Sequence, residues 1–481
     1  MVQRYQGLRE WLEIADRIRE LKRVDGCDWD KEIGAVTDLC CQLSNPPAHL
    51  FDRIKDAKPG YRVLTCALSS PKRLAAALRI DATTTWELVR ELRRGRIAEW
   101  EKGGASVRPR WVQDGPILEN VFEREKVDLF IFPTPKWHEG DGGRYIGTGC
   151  AVLTQDPDSG WINAGAYRCM VLGPREVGIW MATQRHGRTH MDKYFARRER
   201  CPVVISVGHD PLLSLLAGLD FGATSELEIM GRVTGEPLEV VLGRGTGLPI
   251  PAQSEVVLEG WTNPGYEKVE GPFAEFLGYY SGDPRPVPVL EVETLYHRND
   301  PILLGVPLSK PPHDLSYSYS VLRSALIQDA LERAGVPDVR AVWADEVGGG
   351  RQLVTVAIRQ RYPGHSKQAG IVASQCQAGA YLGRYVIVVD EDTDPLNLRE
   401  VMWAVATRSD PEEDIDILRR TWTSLVDPLA VTFDPGVVMN SRAIIDACRP
   451  YEHLQRFPPV ATSSPDYLEK VREKFPWLKK E

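Results

Sequence analysis

The sequence predicts a multidomain α/β protein, and three observations lead to that prediction. The chain has 481 residues, more than one domain usually holds. Helical patterns in the first hundred residues give way to short β-rich runs between about 115 and 310, as in a barrel or sandwich. After Pro311-Pro312 strands alternate with helices, which is typical of a largely parallel sheet.

Composition excludes several classes of protein. The hydrophobic fraction of 43% allows sizeable cores. A net charge of −8 argues against nucleic-acid binding, which depends on a basic surface. The nine cysteines are scattered and contain no C-x-x-C pair, which argues against a disulfide framework and against a cysteine zinc site. We therefore expect reduced, mostly buried thiols.

The sequence also indicates where the chain works. Leu8, Leu12, Ala15 and Ile18 have helical spacing and do not form the apolar block of a signal peptide. No stretch approaches the ~20 apolar residues that span a bilayer. We expect a cytoplasmic protein that contacts neither membranes nor nucleic acids.

Periodicity predicts the individual elements. An amphipathic helix is expected over 7–23, and residues 70–103 are mostly helical in pattern. The runs 127–132 and 254–259 are predicted strands, and 174–201 is interpreted as an insertion with a helix-compatible part. The C-terminal part predicts helices and strands in alternation: helices over 318–335, 367–380, 397–407 and 467–472, and strands over 341–343, 353–358 and 385–389.

Familiar catalytic motifs are absent. The sequence has neither the phosphate loop G-x-x-x-x-G-K-[ST] nor the elbow G-x-S-x-G. Gly243 to Gly247 lies between two β runs and predicts a hairpin turn. His186 and His190 are four residues apart, but Gly187 replaces the glutamate that a zinc-protease helix needs.

Two carboxylates flank a Gly-Pro turn in the segment from Glu270 to Glu275. Paired carboxylates beside an apolar wall such as Phe273 can hold different protonation states, as acid–base chemistry requires. The alternative is a surface loop with two glutamates. Arg168 lies either in a strand as a buried arginine, with Glu270 as a possible partner, or at an ordinary rim.

Taken in order, motifs along nearly the whole chain resemble the UbiD-like (ferulate decarboxylase-like) family. They include Leu8-Arg9-Glu10-Trp11-Leu12, Trp161-Ile162-Asn163, Arg168, Ser225-Glu226, Glu270-Gly271-Pro272-Phe273, Glu275, Tyr362-Pro363-Gly364-His365 and Trp403-Ala404-Val405-Ala406-Thr407-Arg408.

The resemblance implies an activity. Arg168, Glu270 and Glu275 match the family's catalytic arginine and two acids. In similar enzymes prenylated FMN is the electron sink while carbon dioxide leaves an aromatic, heteroaromatic or α,β-unsaturated acid. Glu275 is the expected proton donor, and Glu270 with Arg168 is expected to orient the cofactor and assist its maturation. A flavin prenyltransferase is the expected cofactor supplier.

The resemblance also implies metal ligands. Asn163, His186 and Glu226 match the family's ligands for a divalent ion, Mn²⁺ or Mg²⁺, that holds the cofactor phosphate. K⁺ is expected near Trp161, Leu216, Gly218 and Glu226. Thr148 matches a position that contacts the cofactor. Arg185 stands where relatives often carry glutamine, and we expect it to contact the cofactor too.

Family members imply the domain plan: an N-terminal α/β segment (1–115), a central split β-barrel that binds prenylated FMN (116–315) and a C-terminal α/β oligomerisation domain (316–481). The active site is expected between the last two, with hinge closure excluding water. Relatives form homodimers or homohexamers. Alternatives are a carboxylase or carboxylase-complex subunit of the same fold, a non-catalytic flavin-binding assembly protein and a plain metal hydrolase.

Overall fold

The computed structural model describes residues 5–102, 107–219, 221–222, 224–280, 282–434 and 437–478. These residues form sheets of four, nine, three and six strands with helices packed around them. The predicted mixed helix-and-sheet multidomain fold is confirmed. No helix within the described ranges combines the length and apolar character that crossing a bilayer requires.

A small sheet organises the N-terminal part. Its order is Leu21–Asp25, Ala48–Asp52, Arg62–Thr65 and Ile302–Leu304. The helix predicted over 7–23 is wrong beyond Arg17, because the helix is Leu8–Arg17 and Arg19 then takes a left-handed φ of 62°. The chain continues as the strand Leu21–Asp25, which pairs in parallel with Ala48–Asp52.

Helices complete this part, and they are Glu32–Cys41, Pro71–Ala77, Thr85–Leu92 and Arg96–Lys102. The helical prediction for residues 70–102 agrees with three of them, and residue 103 lies outside the described residues. Two N-terminal caps explain why this helical pattern is divided into separate helices. The Ser70 hydroxyl accepts a bond from the Arg73 N–H, and Thr84 forms a reciprocal capping box with Glu87.

A nine-stranded sheet forms the centre. Along it lie Arg144–Gly147, Arg168–Gly173, Glu176–Trp180, Arg285–His297, Val256–Glu270, Cys201–Val207, Ala151–Gln155 and Ile162–Gly165, and Asn120–Glu123 pairs with Arg285–His297. The insertion predicted over 174–201 is wrong at Glu176–Trp180, because this strand is interior to the sheet. The helix His186–Ala196 agrees with the helix-compatible part.

Two further central predictions have opposite outcomes. The strand expected over 127–132 is wrong, because the Asp128 carboxylate caps the single helical turn Leu129–Ile131 through the Phe130 N–H. The hairpin at Gly243 to Gly247 is confirmed, since Glu239–Leu242 pairs antiparallel with Pro249–Pro251. Arg110–Trp111 completes this three-stranded sheet.

The C-terminal part contains the six-stranded sheet, in the order Val339–Ala344, Leu353–Ile358, Tyr385–Asp390, Val437–Ala447 and Ile415–Trp422, with Val431–Asp434 beside Val437–Ala447. The three middle strands are parallel and the outer pairings are antiparallel. Its helices are Ser316–Arg333, His365–Gln375, Gln377–Ala380, Leu398–Arg408 and Pro465–Lys474. The predicted alternation of strands and helices is present.

Candidate active site

Arg168 lies between two acids. Its Nε and Nη2 donate to the two carboxylate oxygens of Glu270 at 2.8 and 3.0 Å, and its Nη1 donates to Glu275 Oε1 at 3.0 Å. The side chains of Arg168 and Glu270 are 9% and 0% exposed, whereas that of Glu275 is 15% exposed. A planar guanidinium is suited to this arrangement because its five donors can bind two carboxylates at once.

Strand ends position this network. Arg168 is the first residue of Arg168–Gly173, and Glu270 is the last residue of Val256–Glu270. Glu270 therefore has a fixed backbone, while Glu275 follows in the loop and its N–H donates to the Tyr279 carbonyl. The Gly142 N–H donates to the Pro272 carbonyl, and a Cβ on Gly142 would lie 2.0 Å from the Gly271 carbonyl oxygen.

The two acids have different environments. Glu270 also accepts a bond from the Tyr145 hydroxyl at 2.9 Å, so its oxygens receive three hydrogen bonds. Burial raises the pKa of Glu275 above its ordinary value, while the Arg168 charge partly opposes that increase. A raised pKa lets a carboxyl hold a proton near neutral pH, which is what a proton donor requires.

Aromatic rings shield the network from water. Phe273 is 2% exposed, and its ring centre lies 4.2 Å from that of Tyr145. The Arg168 guanidinium carbon lies 5.5 Å from the Trp180 ring centre and 5.7 Å from that of Phe273. The predicted apolar wall at Phe273 is present, which strengthens electrostatic interactions inside the network.

A polar cavity of about 70 Å³ lies along the same part of the sheet. Its lining includes Asn163, His186 and Glu226, the three predicted metal ligands, together with Arg185 and Gly218. Asn163 lies on the strand Ile162–Gly165, and His186 and Glu226 begin the helices His186–Ala196 and Glu226–Thr234, which explains their wide separation in sequence. Asn163 and Glu226 are only 2% and 3% exposed.

Tyr167 connects this cavity to the arginine network. It precedes Arg168 in the chain, and its hydroxyl accepts bonds from the Asn163 amide at 3.4 Å and the Gly187 N–H at 3.1 Å. Glu226 Oε2 accepts the Ala164 N–H at 2.8 Å. One short segment therefore carries both the cavity wall and the arginine.

The donor chemistry of this cavity fits a divalent ion and a phosphate. An amide oxygen, an imidazole and a carboxylate suit Mn²⁺ or Mg²⁺, and Arg185 adds a positive charge at the same lining. His190 has another role, since its Nδ1 lies 3.0 Å from the Thr154 hydroxyl and burial lowers its pKa to about 4. The i, i+4 histidine pair does not form one site.

The carbonyls expected near K⁺ already accept hydrogen bonds. The Trp161 oxygen accepts the Asp156 N–H, the Leu216 oxygen accepts the Leu219 N–H, and the Gly218 oxygen accepts the Tyr319 hydroxyl at 2.7 Å. A carbonyl oxygen has two lone pairs, so the Trp161 and Gly218 oxygens each keep one for a cation, whereas the Leu216 oxygen also accepts the Gly218 N–H. The Thr148 hydroxyl accepts the Val306 N–H at 2.9 Å, which gives Thr148 a loop-holding contact besides any contact with a cofactor.

Contacts with the C-terminal part were not identified from the sequence. Tyr319, on the helix Ser316–Arg333, bonds to the cavity residue Gly218. The Arg351 guanidinium lies about 5 Å from three ring centres, those of Phe276, Tyr319 and Tyr381. Phe276 directly follows Glu275, so this cluster joins the acidic loop to the C-terminal part. Three glycines, residues 348–350, directly precede Arg351, and no other sequence feature marks this position.

A buried arginine between two acids, beside a polar cavity with oxygen and imidazole donors, is an arrangement suited to acid–base chemistry. Family models for the N-terminal, Rift-related central and C-terminal domains of 3-octaprenyl-4-hydroxybenzoate carboxy-lyase match residues 12–93, 110–311 and 316–447. The chain belongs to the UbiD family, as the sequence resemblance predicted.

Two curated relatives of the chain are named decarboxylases. A phenolic acid decarboxylase of Streptomyces sp. (strain D7) is 31% identical over 455 residues, which cover 93% of this chain and 92% of the relative. A pyrrole-2-carboxylic acid decarboxylase of Pseudomonas aeruginosa is 31% identical over 403 residues, which cover 80% of this chain and 79% of the relative.

Solved structures match the whole chain. The UbiD-class enzyme HmfF from Pelotomaculum thermopropionicum, in an evolved dimeric form with prFMN, aligns with a TM-score of 0.79 at 28% identity, covering 97% of this chain and 98% of that one. The vanillic acid decarboxylase of Sedimentibacter hydroxybenzoicus in its open form gives 0.82 at 30% identity, covering 98% and 100%. Its closed form gives 0.75 at 32% identity, covering 100% of both chains. This fold therefore holds a flavin in HmfF.

Proposed function

We propose that the chain catalyses the reversible, non-oxidative decarboxylation of an aromatic, heteroaromatic or α,β-unsaturated carboxylic acid with prenylated FMN. The observation that carries this proposal is the Glu270–Arg168–Glu275 network, buried behind Phe273 and Tyr145. It supplies one cation for a substrate carboxylate and one acid whose pKa favours holding a proton.

Each residue of the network has a separate role in the proposed reaction. Prenylated FMN, when bound, supplies the electron sink for the carbon–carbon bond that breaks. Arg168 orients the substrate carboxylate and keeps the two acids in place. Glu275 delivers a proton to the carbon that loses carbon dioxide, and Glu270, fixed by three hydrogen bonds, maintains the orientation of Arg168. Carboxylation in the reverse direction would use the same groups.

A direct assay tests this function. The protein would be co-expressed with a flavin prenyltransferase, and carbon dioxide release would be measured from benzoate-like, phenolic, heteroaromatic and acrylic acids. We expect release from at least one class, and none from protein made without the prenyltransferase. Added bicarbonate should drive the reverse carboxylation. A protein that binds the modified flavin and turns over none of these classes would support the non-catalytic assembly alternative.

We also propose that Asn163, His186 and Glu226 hold Mn²⁺ or Mg²⁺ against the cofactor phosphate, with Arg185 and Thr148 as further cofactor contacts and K⁺ near Trp161, Leu216, Gly218 and Glu226. The polar lining of the cavity supports this assignment. Metal placed there would offset the charge of Glu226 and bind a phosphate that the acidic chain would otherwise repel.

Replacing Glu226 with glutamine tests the metal site. Glutamine has nearly the same size and can still accept the Ala164 N–H, so the fold should survive. We expect bound Mn²⁺ and retained flavin to fall about 10-fold to 100-fold, measured as metal and flavin per chain after gel filtration. Glu228→Gln on the same helix is the matched control and should retain both. Equal retention in the two variants would remove Glu226 from the ligand set.

We further propose that the C-terminal part closes on the active site. The TM-score is higher against the open form of the vanillic acid decarboxylase (0.82) than against its closed form (0.75). Tyr319 and Arg351 already connect the central and C-terminal parts. Self-association as a dimer or hexamer stays a prediction, supported by the exposed Trp422, Leu425 and Leu429. Sedimentation velocity would measure the assembly.

A further inference from the structure

A second cluster of metal-ligating side chains lies in the N-terminal part, outside the proposed active site. One ligand atom each from Cys40, His49 and Cys66 lies within 4.8 Å of the other two. The Cys41 sulfur lies 3.6 Å from the Cys66 sulfur. All four residues are buried, with exposures of 5%, 6%, 6% and 0% for Cys40, Cys41, His49 and Cys66.

Three elements bring these residues together. Cys40 and Cys41 end the helix Glu32–Cys41, and Cys66 directly follows the strand Arg62–Thr65. His49 lies on the neighbouring strand, opposite Thr65 in an antiparallel pair. Sequence spacing pointed away from a cysteine zinc site because the ligands have no C-x-x-C pair and come from separate elements.

The backbone at Cys66 is held in a costly conformation. Its φ is 56°, a left-handed value that is unfavourable for a residue with a side chain. Two buried side chains hold it there: the Cys66 N–H donates to Asp314 Oδ2 at 2.5 Å, and the Cys66 carbonyl accepts from Arg73 Nη2 at 3.1 Å. Backbone strain that the surroundings enforce is typical of functional positions.

The imidazole of His49 is under-satisfied. Its Nδ1 is buried and has no hydrogen-bond partner among the described residues. A buried polar atom without a partner is unfavourable, because it has lost its hydrogen bonds to water and gained none in return. A ring that lies among thiols and is not fixed by two hydrogen bonds is available as a metal ligand.

The distances suit a tetrahedral ion. With metal–sulfur bonds of about 2.3 Å, neighbouring sulfur ligands of tetrahedral zinc lie roughly 3.8 Å apart. The Cys41–Cys66 separation of 3.6 Å is already close to that value. The ligand atoms of Cys40, His49 and Cys66 lie within 4.8 Å of one another, so they would approach by up to about 1 Å on binding, a shift that side-chain rotation supplies.

We propose that Cys40, Cys41, Cys66 and His49 form a structural zinc site. Three thiolates and one imidazole select a borderline-soft ion, in contrast to the oxygen-rich set around Asn163 and Glu226. Each coordinating thiol releases its proton as Zn²⁺ binds, and no electron is transferred. The buried Arg73 lies beside the site, where it donates to the Cys66 carbonyl at 3.1 Å and pairs with Glu20 at 3.0 Å.

The position of the site gives it a structural consequence. Asp314, which holds Cys66, lies two residues before the helix Ser316–Arg333 of the C-terminal part. Cys41 also lines a cavity of about 290 Å³ together with His313 and Tyr317. A zinc ion would therefore fix the N-terminal sheet beneath the segment that leads into the C-terminal part.

Zinc content of the full chain tests the proposal. Protein grown with zinc and purified without chelators should carry about one Zn²⁺ per chain by elemental analysis. Cys40→Ser and His49→Gln should each lower zinc about tenfold or more. Cys27→Ser, which removes another buried thiol outside the cluster, is the matched control and should retain zinc. Glu226→Gln should also retain it, which distinguishes this site from the proposed active-site metal.

Two measurements on the unaltered protein do not depend on the variants folding. Cobalt in place of zinc should give thiolate-to-metal charge-transfer absorption. Thiols counted after denaturation without reductant, with a chelator present, should number nine. A count lower by two would indicate a Cys41–Cys66 disulfide and overturn the proposal. Nine thiols with neither zinc nor a cobalt spectrum would show plain buried cysteines and overturn it equally.

Discussion

Glu275→Gln is expected to lower kcat by about 10²-fold to 10⁴-fold while bound flavin stays at the wild-type level, because the variant keeps the shape of the side chain and loses its transferable proton. The glutamine oxygen can still accept the Arg168 N–H that Glu275 accepts at 3.0 Å. The measurement is single-turnover carbon dioxide release, with flavin quantified in the same sample. Glu267→Gln, an exposed position on the preceding strand, is the control.

The pH profile gives this variant a second test. Glu275 must be protonated to act, and burial raises its pKa, so wild-type kcat should fall as pH rises through that raised pKa. Glu275→Gln should lack that limb of the profile, and its residual rate should be flat there. A variant with wild-type kcat and an unchanged alkaline limb would assign the proton donation to another group.

Arg168→Gln is the second large effect. Removing the cation leaves Glu270 and Glu275 as neighbouring carboxyl groups in a shielded site, and breaking a buried ion pair in this way costs about 3–5 kcal/mol. We expect carbon dioxide release to fall more than about 10³-fold and the free energy of unfolding in urea to decrease by an amount in that range. Arg175→Gln, in the exposed turn after the same strand, should change neither.

The sign of the pH dependence separates this electrostatic cause from lost packing. Burial raises the pKa of Glu275 and the Arg168 charge opposes that increase, so without the cation the folded-state pKa of Glu275 rises further above its value in the unfolded chain. The stability of Arg168→Gln should therefore approach that of the wild type near pH 4 and fall below it as pH rises. A stability deficit that does not change with pH would mean that packing of the guanidinium, and not its charge, holds the site.

The local hydrophobic pattern of the sequence was sufficient to predict most of the secondary structure. The C-terminal alternation was correct because its strands are apolar runs bounded by turns, as at Leu353–Ile358. The hydrophobic pattern predicted the wrong secondary structure where the conformation at a single backbone position ends a helix or starts a helical turn. Arg19 ends the first helix through its left-handed φ, and the Asp128 cap converts an apolar run into a helical turn. Neither event changes hydrophobic periodicity.

Only part of the active-site network could be predicted from the sequence. The sequence left Arg168 open between a buried partner of Glu270 and a rim residue, because the two are 102 positions apart. Tertiary contacts decide that question, and they also bring in Tyr145, Tyr319 and Arg351, for which no motif exists. The thiol cluster around Cys66 was missed for the same reason.

The mass of the bound cofactor tests the central claim most directly. Protein co-expressed with a flavin prenyltransferase would be gel-filtered and denatured, and the released ligand would be measured by mass spectrometry. The proposed function predicts prenylated FMN at close to one per chain. A related decarboxylase prepared in parallel verifies the reconstitution. If that relative carries prenylated FMN while this protein is empty or holds plain FMN, decarboxylation with the modified flavin is contradicted.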